Sequence, residues 1–196
     1  MIVLKELQKL GREWKEPSLL KSLPVLQLAA EIKLFTAGFQ LVRCSGCPKM
    51  RISLVFKEIF PILILKLFAK IENNGHTIEV KLKNKKNTLK FNGKTYTLEQ
   101  FHFHAPSENQ IDGKTYPLEG HFVYTTKDKK ITVISILYQY GKENKTLKQV
   151  WKKMPQKAET KKNLSQPVAI SQLFPKDLDY YNFEGSLTTP PCTERG

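Results

Sequence analysis

A mostly β fold of the α+β kind, built from antiparallel hairpins, is the expectation for this chain, and three observations carry it. Asn92-Gly93 and Asp112-Gly113 stand between runs of alternating polarity, and such dipeptides supply the positive φ angles of tight hairpin turns. The run Ile131–Tyr140, ITVISILYQY, is β-branched and aromatic, which suits a packed, pleated strand. Past residue 71 only Leu147–Met154 has helical character. With 196 residues the chain has room for one domain with a sizeable core rather than two.

The elements follow in order. Leu4–Trp14 has helical spacing and Val25–Phe35 suggests a second helix, but the rest of residues 1–70 mixes apolar runs with prolines and is left unassigned. Val80–Lys83 and Thr88–Phe91 are short strands, and Asn92-Gly93 turns the second of them into Thr95–His104. A turn around Ile111-Asp112-Gly113 brings Tyr116–Thr125 back antiparallel to it. Ile131–Tyr140 is expected to be a buried strand and Leu147–Met154 a short helix. The tail from Tyr180 to Gly196 is rich in Gly, Thr and Pro and reads as an ordered loop.

The formal charge is +14, which admits a polyanion-binding role. The lysines, however, are scattered in pairs such as Lys85–Lys86, Lys129–Lys130, Lys152–Lys153 and Lys161–Lys162, with few arginines and no aromatic-interleaved motif. A solvated basic surface is the simpler reading, and no nucleic-acid partner is expected. Phe60–Ala69 is the most apolar stretch, but it holds Lys66 and falls well short of the roughly 18 residues of a membrane span. Residues 1–16 carry charges where a secretory signal has its apolar centre, so no signal peptide is visible. Cys44 and Cys47 make a single C-x-x-C without a second ligand pair at zinc-finger spacing, and Cys192 stands alone.

The chain has four histidines, and two lie in QFHFHAPSEN, residues 100–109. Side chains at i and i+2 of a strand share a face, so His102 and His104 point the same way. His121, on the returning strand, can join them. Three neutral imidazoles suit Zn²⁺ and leave a fourth tetrahedral position open, which marks a catalytic rather than a closed structural site. Gln100 and Glu119 each stand two residues before a histidine, on its face, where they can hold a ligand's outer ring N–H. Against this stands the ordinary reading of an H-x-H pair as exposed strand histidines. The third histidine in register, with two polar partners, favours the metal.

FHFHAPSEN, YPLEGHFVY, SLTTPPCTE and NNGHTIEV together resemble the α-class carbonic anhydrases, in the wording of the bacterial members, over about residues 71–196. The resemblance implies a central twisted, largely antiparallel sheet with short helices, and zinc held by His102, His104 and His121. It implies that a zinc-bound water ionises and attacks CO₂, giving bicarbonate; carbonic anhydrases are themselves the reference case for zinc acidifying a water. Thr188 matches the threonine that accepts from that hydroxide and donates to a carboxylate, here Glu108, which when ionised only accepts. Val123, Val133 and Leu187 match the apolar wall of the CO₂ pocket, and Thr189 lines its mouth. Taken alone, the two valines would be plain core residues. His76 matches the proton shuttle, a task suited to a group titrating near neutrality. The implied partners are CO₂ and bicarbonate, and the implied location is periplasmic or secreted.

The resemblance also breaks. Where the family has Q-S-P-x-N-I the chain has CSGCPKMRIS, and it stops at Thr193-Glu194-Arg195-Gly196, where the family continues. The expectation is that residues 1 to about 70 are read out of frame and that the domain over 71–196 is partial, its sheet incomplete. Cys192 matches the family's disulfide cysteine, with Cys44 and Cys47 as alternative partners. The rival to an active enzyme is a truncated, weakly active or inactive zinc-binding relative.

Overall fold

The computed structural model describes residues 51–53, 66–83, 86–111, 113–175, 182–184 and 187. The expected helices Leu4–Trp14 and Val25–Phe35, the C-x-x-C and Cys192 lie outside them. The elements are β1 (Arg51–Ser53), β2 (Lys66–Leu67), β3 (Ala69–Asn73), β4 (Ile78–Leu82), β5 (Thr88–Phe91), β6 (Lys94–His104), β7 (Gln110–Ile111), β8 (Lys114–Thr115), β9 (Leu118–Thr125), β10 (Ile131–Tyr138), α1 (Lys145–Lys153), β11 (Thr160–Asn163), β12 (Val168–Ala169), a 3-10 turn at Ile170–Leu173, and β13 (Asn182–Glu184).

The chain folds around a seven-stranded sheet in the order β10-β9-β6-β4-β3-β11, with β5 also paired to β6, every pairing antiparallel. The mostly β, antiparallel expectation holds. The β5–β6 turn takes φ +46° at Asn92 and +70° at Gly93, the double left-handed geometry that an Asn-Gly hairpin supplies without strain. One face of the sheet carries the core. Phe101 stacks on Phe122 with ring centroids 5.2 Å apart, and Phe103 meets Trp151 of α1 at 4.7 Å. Leu147, Val150 and Trp151 are the side of α1 turned to that core. The helix starts where Asn144 caps it, its Oδ1 accepting from the Thr146 and Leu147 amides at 3.0 Å. Lys152 and Lys153 lie in its last turn, where positive charge complements the helix dipole.

Four expectations change. Ile131–Tyr140 is a strand only to Tyr138, and it is not buried throughout, since Val133 is 39% exposed; its second face belongs to the opposite side of the sheet. The first strand of the hairpin region begins at Ile78 rather than Val80. The turn at residues 111–113 does not join β6 directly to β9: it closes a separate two-stranded hairpin, β7–β8, set between them. The tail is not all loop, for β13 pairs antiparallel with β1.

Candidate metal centre

β6 decides which side chains reach the second face of the sheet. Its pairing with β9 runs Leu98 opposite Tyr124, then skips to Gln100 opposite Val123, so Glu99 is a bulge residue. A bulge adds one residue on one strand and changes the parity of everything beyond it. Before it, the even positions Tyr96 and Leu98 are buried in the core; beyond it, the odd positions Phe101 and Phe103 are. Gln100, His102 and His104 are thereby turned together to the other face. The returning strand supplies Glu119, His121 and Val123 to that same face, with His102 directly opposite His121 and His104 opposite Glu119.

The three rings converge. Their centroids lie 5.0 Å apart for His102–His104, 5.3 Å for His102–His121 and 4.5 Å for His104–His121. One ring nitrogen from each lies within 4.8 Å of the other two, a spacing that one small cation can bridge.

Hydrogen bonds fix which nitrogens are left over. Gln100 Oε1 can only accept, so His102 Nδ1 donates to it at 2.9 Å, and among the described residues nothing hydrogen-bonds to Nε2. Glu119 Oε1 accepts from His121 Nε2 at 2.9 Å, and among the described residues nothing hydrogen-bonds to His121 Nδ1. Glu108 Oε1 comes within 3.2 Å of His104 Nδ1, but off the hydrogen-bond direction. Among the described residues both nitrogens of His104 are buried without a hydrogen-bond partner. Buried polar atoms in that condition call for a ligand, and the bare nitrogens of a neutral imidazole triad fit Zn²⁺.

The electrostatics keep His102 and His104 neutral. Burial first, then the neighbouring imidazoles, push His102 down to about 3, and burial with His121 beside it pushes His104 down to about 4. Burial also works against ionisation of Glu119. The donors around it outweigh that, His121 first and then Ser135 and the Asn109 backbone, and hold its carboxyl at about 2. A buried anion thus faces His121, while His102 and His104 carry lone pairs, as metal ligation requires.

The other expected site residues fall as follows. Val123 is half-buried and stands opposite Val133 across β9 and β10, on the triad's face. Leu187 is half-buried. Thr188 and Thr189 lie outside the described residues. His76 is exposed, in the turn between β3 and β4, where Asn74 Oδ1 accepts from the His76 and Thr77 amides at 3.0 and 2.8 Å. Thr77 Oγ1 reaches the Phe103 carbonyl at 3.4 Å, which sets that turn beside the His104 end of β6. Sequence reasoning missed two residues here, Asn109 and Ser135, both donors to Glu119. Asn109 ends the quoted HAPSEN run, and Ser135 is a lone hydroxyl between apolar neighbours.

The family model of the eukaryotic-type carbonic anhydrases matches residues 64–195, a few residues earlier than position 71. Carbonic anhydrases of Neisseria gonorrhoeae and Pectobacterium carotovorum are 56% and 52% identical to the chain over 124 residues, which is 63% of this chain and 49% and 50% of theirs. The chain therefore spans about half the length of these relatives. Among solved structures it is similar to the α-carbonic anhydrase of Thermovibrio ammonificans in complex with the inhibitor sulfanilamide. There the TM-score is 0.70 and the identity 39%, covering 74% of this chain and 63% of that one.

Proposed function

The chain belongs to the eukaryotic-type carbonic anhydrase family, and from that premise we propose that it catalyses the zinc-dependent, reversible hydration of CO₂ to bicarbonate and a proton. The observation that carries the reading is the set of three imidazoles with one nitrogen each within 4.8 Å of the others. His102, His104 and His121 would hold the zinc, which when bound acidifies a water and supplies a nucleophile at neutral pH. Gln100 and Glu119 hold the outer ring N–H groups of His102 and His121 and keep those rings aimed.

Glu108 and Thr188 orient the attacking water. An ionised Glu108 can only accept, so the Thr188 hydroxyl donates to it and accepts from the water, which turns an oxygen lone pair toward the carbon. CO₂ is apolar, and the half-buried Val123 beside the more open Val133 supports an apolar resting place next to the triad. Leu187 and Thr189 complete that mouth in this proposal. His76, exposed on its turn, passes the released proton to buffer.

Purified full-length chain is expected to carry close to one zinc and to hydrate CO₂ in a stopped-flow assay, with both lost in His102→Ala. Zinc without turnover would favour the second reading, a zinc-binding relative of little or no activity. A folded chain that takes up no zinc would contradict both.

A further inference from the structure

We propose that Ser135 is a positioning residue of the metal centre, its hydroxyl clamping from β10 the Glu119 carboxylate that orients His121. The inference rests on the metal-binding reading above and assigns it a further component. Ser135 is the cross-strand partner of His121, and its Oγ donates to Glu119 Oε1. It is the hydroxyl among Val133, Ser135 and Leu137, the β10 positions on the triad's side.

The surroundings of Glu119 show what this hydroxyl adds. Glu119 is fully buried. Its Oε2 accepts from the Glu108 amide at 2.7 Å and the Asn109 amide at 2.9 Å. Its Oε1 accepts from Asn109 Nδ2 at 2.5 Å, from His121 Nε2 at 2.9 Å and from Ser135 Oγ. Three of these donors belong to residues 108 and 109, in the connection between β6 and β9. That connection carries its own short hairpin, β7–β8, with two residue pairs. Ser135 stands instead on a strand paired with β9 over eight residues. Among the described residues it is the donor that ties the carboxylate to β10. Without it Glu119 is held outside its own strand by the connection alone. Any shift of the connection then draws the carboxylate away from His121 Nε2, and the imidazole is free to place its proton on Nδ1, where a lone pair must face the ion.

The test uses the full chain, with Ser135→Ala and Ser135→Thr beside the parent. Zinc affinity is read by chelator competition, and the His121 tautomer by ¹⁵N NMR of the metal-free protein. S135A is expected to bind Zn²⁺ about tenfold more weakly and to shift His121 from its Nε2–H form toward a mixture, while S135T restores both. Parent-like affinity and tautomer in S135A would overturn the inference. So would weaker binding with an unchanged tautomer, because that loss would not pass through Glu119. If the parent itself binds no Zn²⁺, the metal-centre reading fails on its own, and the tautomer shift alone decides whether the clamp exists. Should S135A give no folded amide spectrum, Ser135→Cys, nearly isosteric but a weak donor, is read in the same way.

Discussion

His102 and His104 illustrate how burial prepares a ligand. An exposed imidazole spends part of its time protonated near neutrality; burial first, then His121 and His104, push His102 down to about 3, and burial with His121 beside it pushes His104 down to about 4. The sign of the consequence is fixed. Between those values and the ordinary 6.5 the unfolded chain binds protons on these rings and the folded chain does not, so stability rises with pH across that window. Metal-free protein should therefore be most stable above pH 6.5 and lose on the order of a few kcal/mol as the pH falls toward 4. Urea unfolding at pH 7 and pH 4.5 measures this, and an unchanged midpoint would count against a buried, neutral His102 and His104. The clustering of the histidines was readable in the sequence because a strand's period of two puts His102 and His104 on one side. Ser135 was not, because its role depends on Glu119 of the neighbouring strand lying within reach, which is a matter of register rather than of pattern.

Among the elements, β6 and β9 hold most of the information. The β5–β6 hairpin was readable because Asn92-Gly93 demands a particular backbone. β11 was not: its sequence TKKN is almost wholly exposed at the sheet edge and gives no apolar alternation. β3 was hidden by Glu72 and Asn73, which are buried polar residues. Lys81 and Lys161 lie 3.3 and 3.0 Å from the Glu72 carboxylate, and Asn73 donates to the Pro155 carbonyl at 3.1 Å. The bulge at Glu99 was missed as well, although the break from Tyr96 and Leu98 to Phe101 and Phe103 records it. Gly120, between Glu119 and His121, has no room to grow. A Cβ there would come within 3.2 Å of both the Phe103 and Tyr138 rings. Neither ring can retreat easily, since Phe103 is fully buried against Trp151 and the Tyr138 hydroxyl donates to the Leu173 carbonyl at 2.9 Å. Gly120→Ala should cost about 1–3 kcal/mol through overpacking. Thermal unfolding checks it, and a neutral effect would show that the aromatic layer yields.

Across the molecule as a whole, a metal held by the triad would be coupled to the fold. The three histidines come from two adjacent strands in the middle of the seven-stranded sheet, so an ion that binds them only in the folded chain would stabilise it. Free zinc at a hundred times its dissociation constant should add about 2.7 kcal/mol, seen as a rise in melting temperature that a chelator reverses. No such shift would detach the triad from the fold. The net charge of +14 is carried in part by Lys129, Lys130, Lys152, Lys153, Lys161 and Lys162, all exposed. Among the described residues no helix is long and apolar enough to cross a membrane. The claim beneath all of this is that His102, His104 and His121 share one ion. X-ray absorption at the zinc edge of the loaded chain tests it most directly. The account predicts three imidazole nitrogens and one light oxygen ligand at about 2.0–2.1 Å, and the loss of this shell when any one of the three histidines is replaced by alanine. A spectrum with fewer than three imidazoles, or with sulfur from Cys44 and Cys47 in the shell, would contradict it.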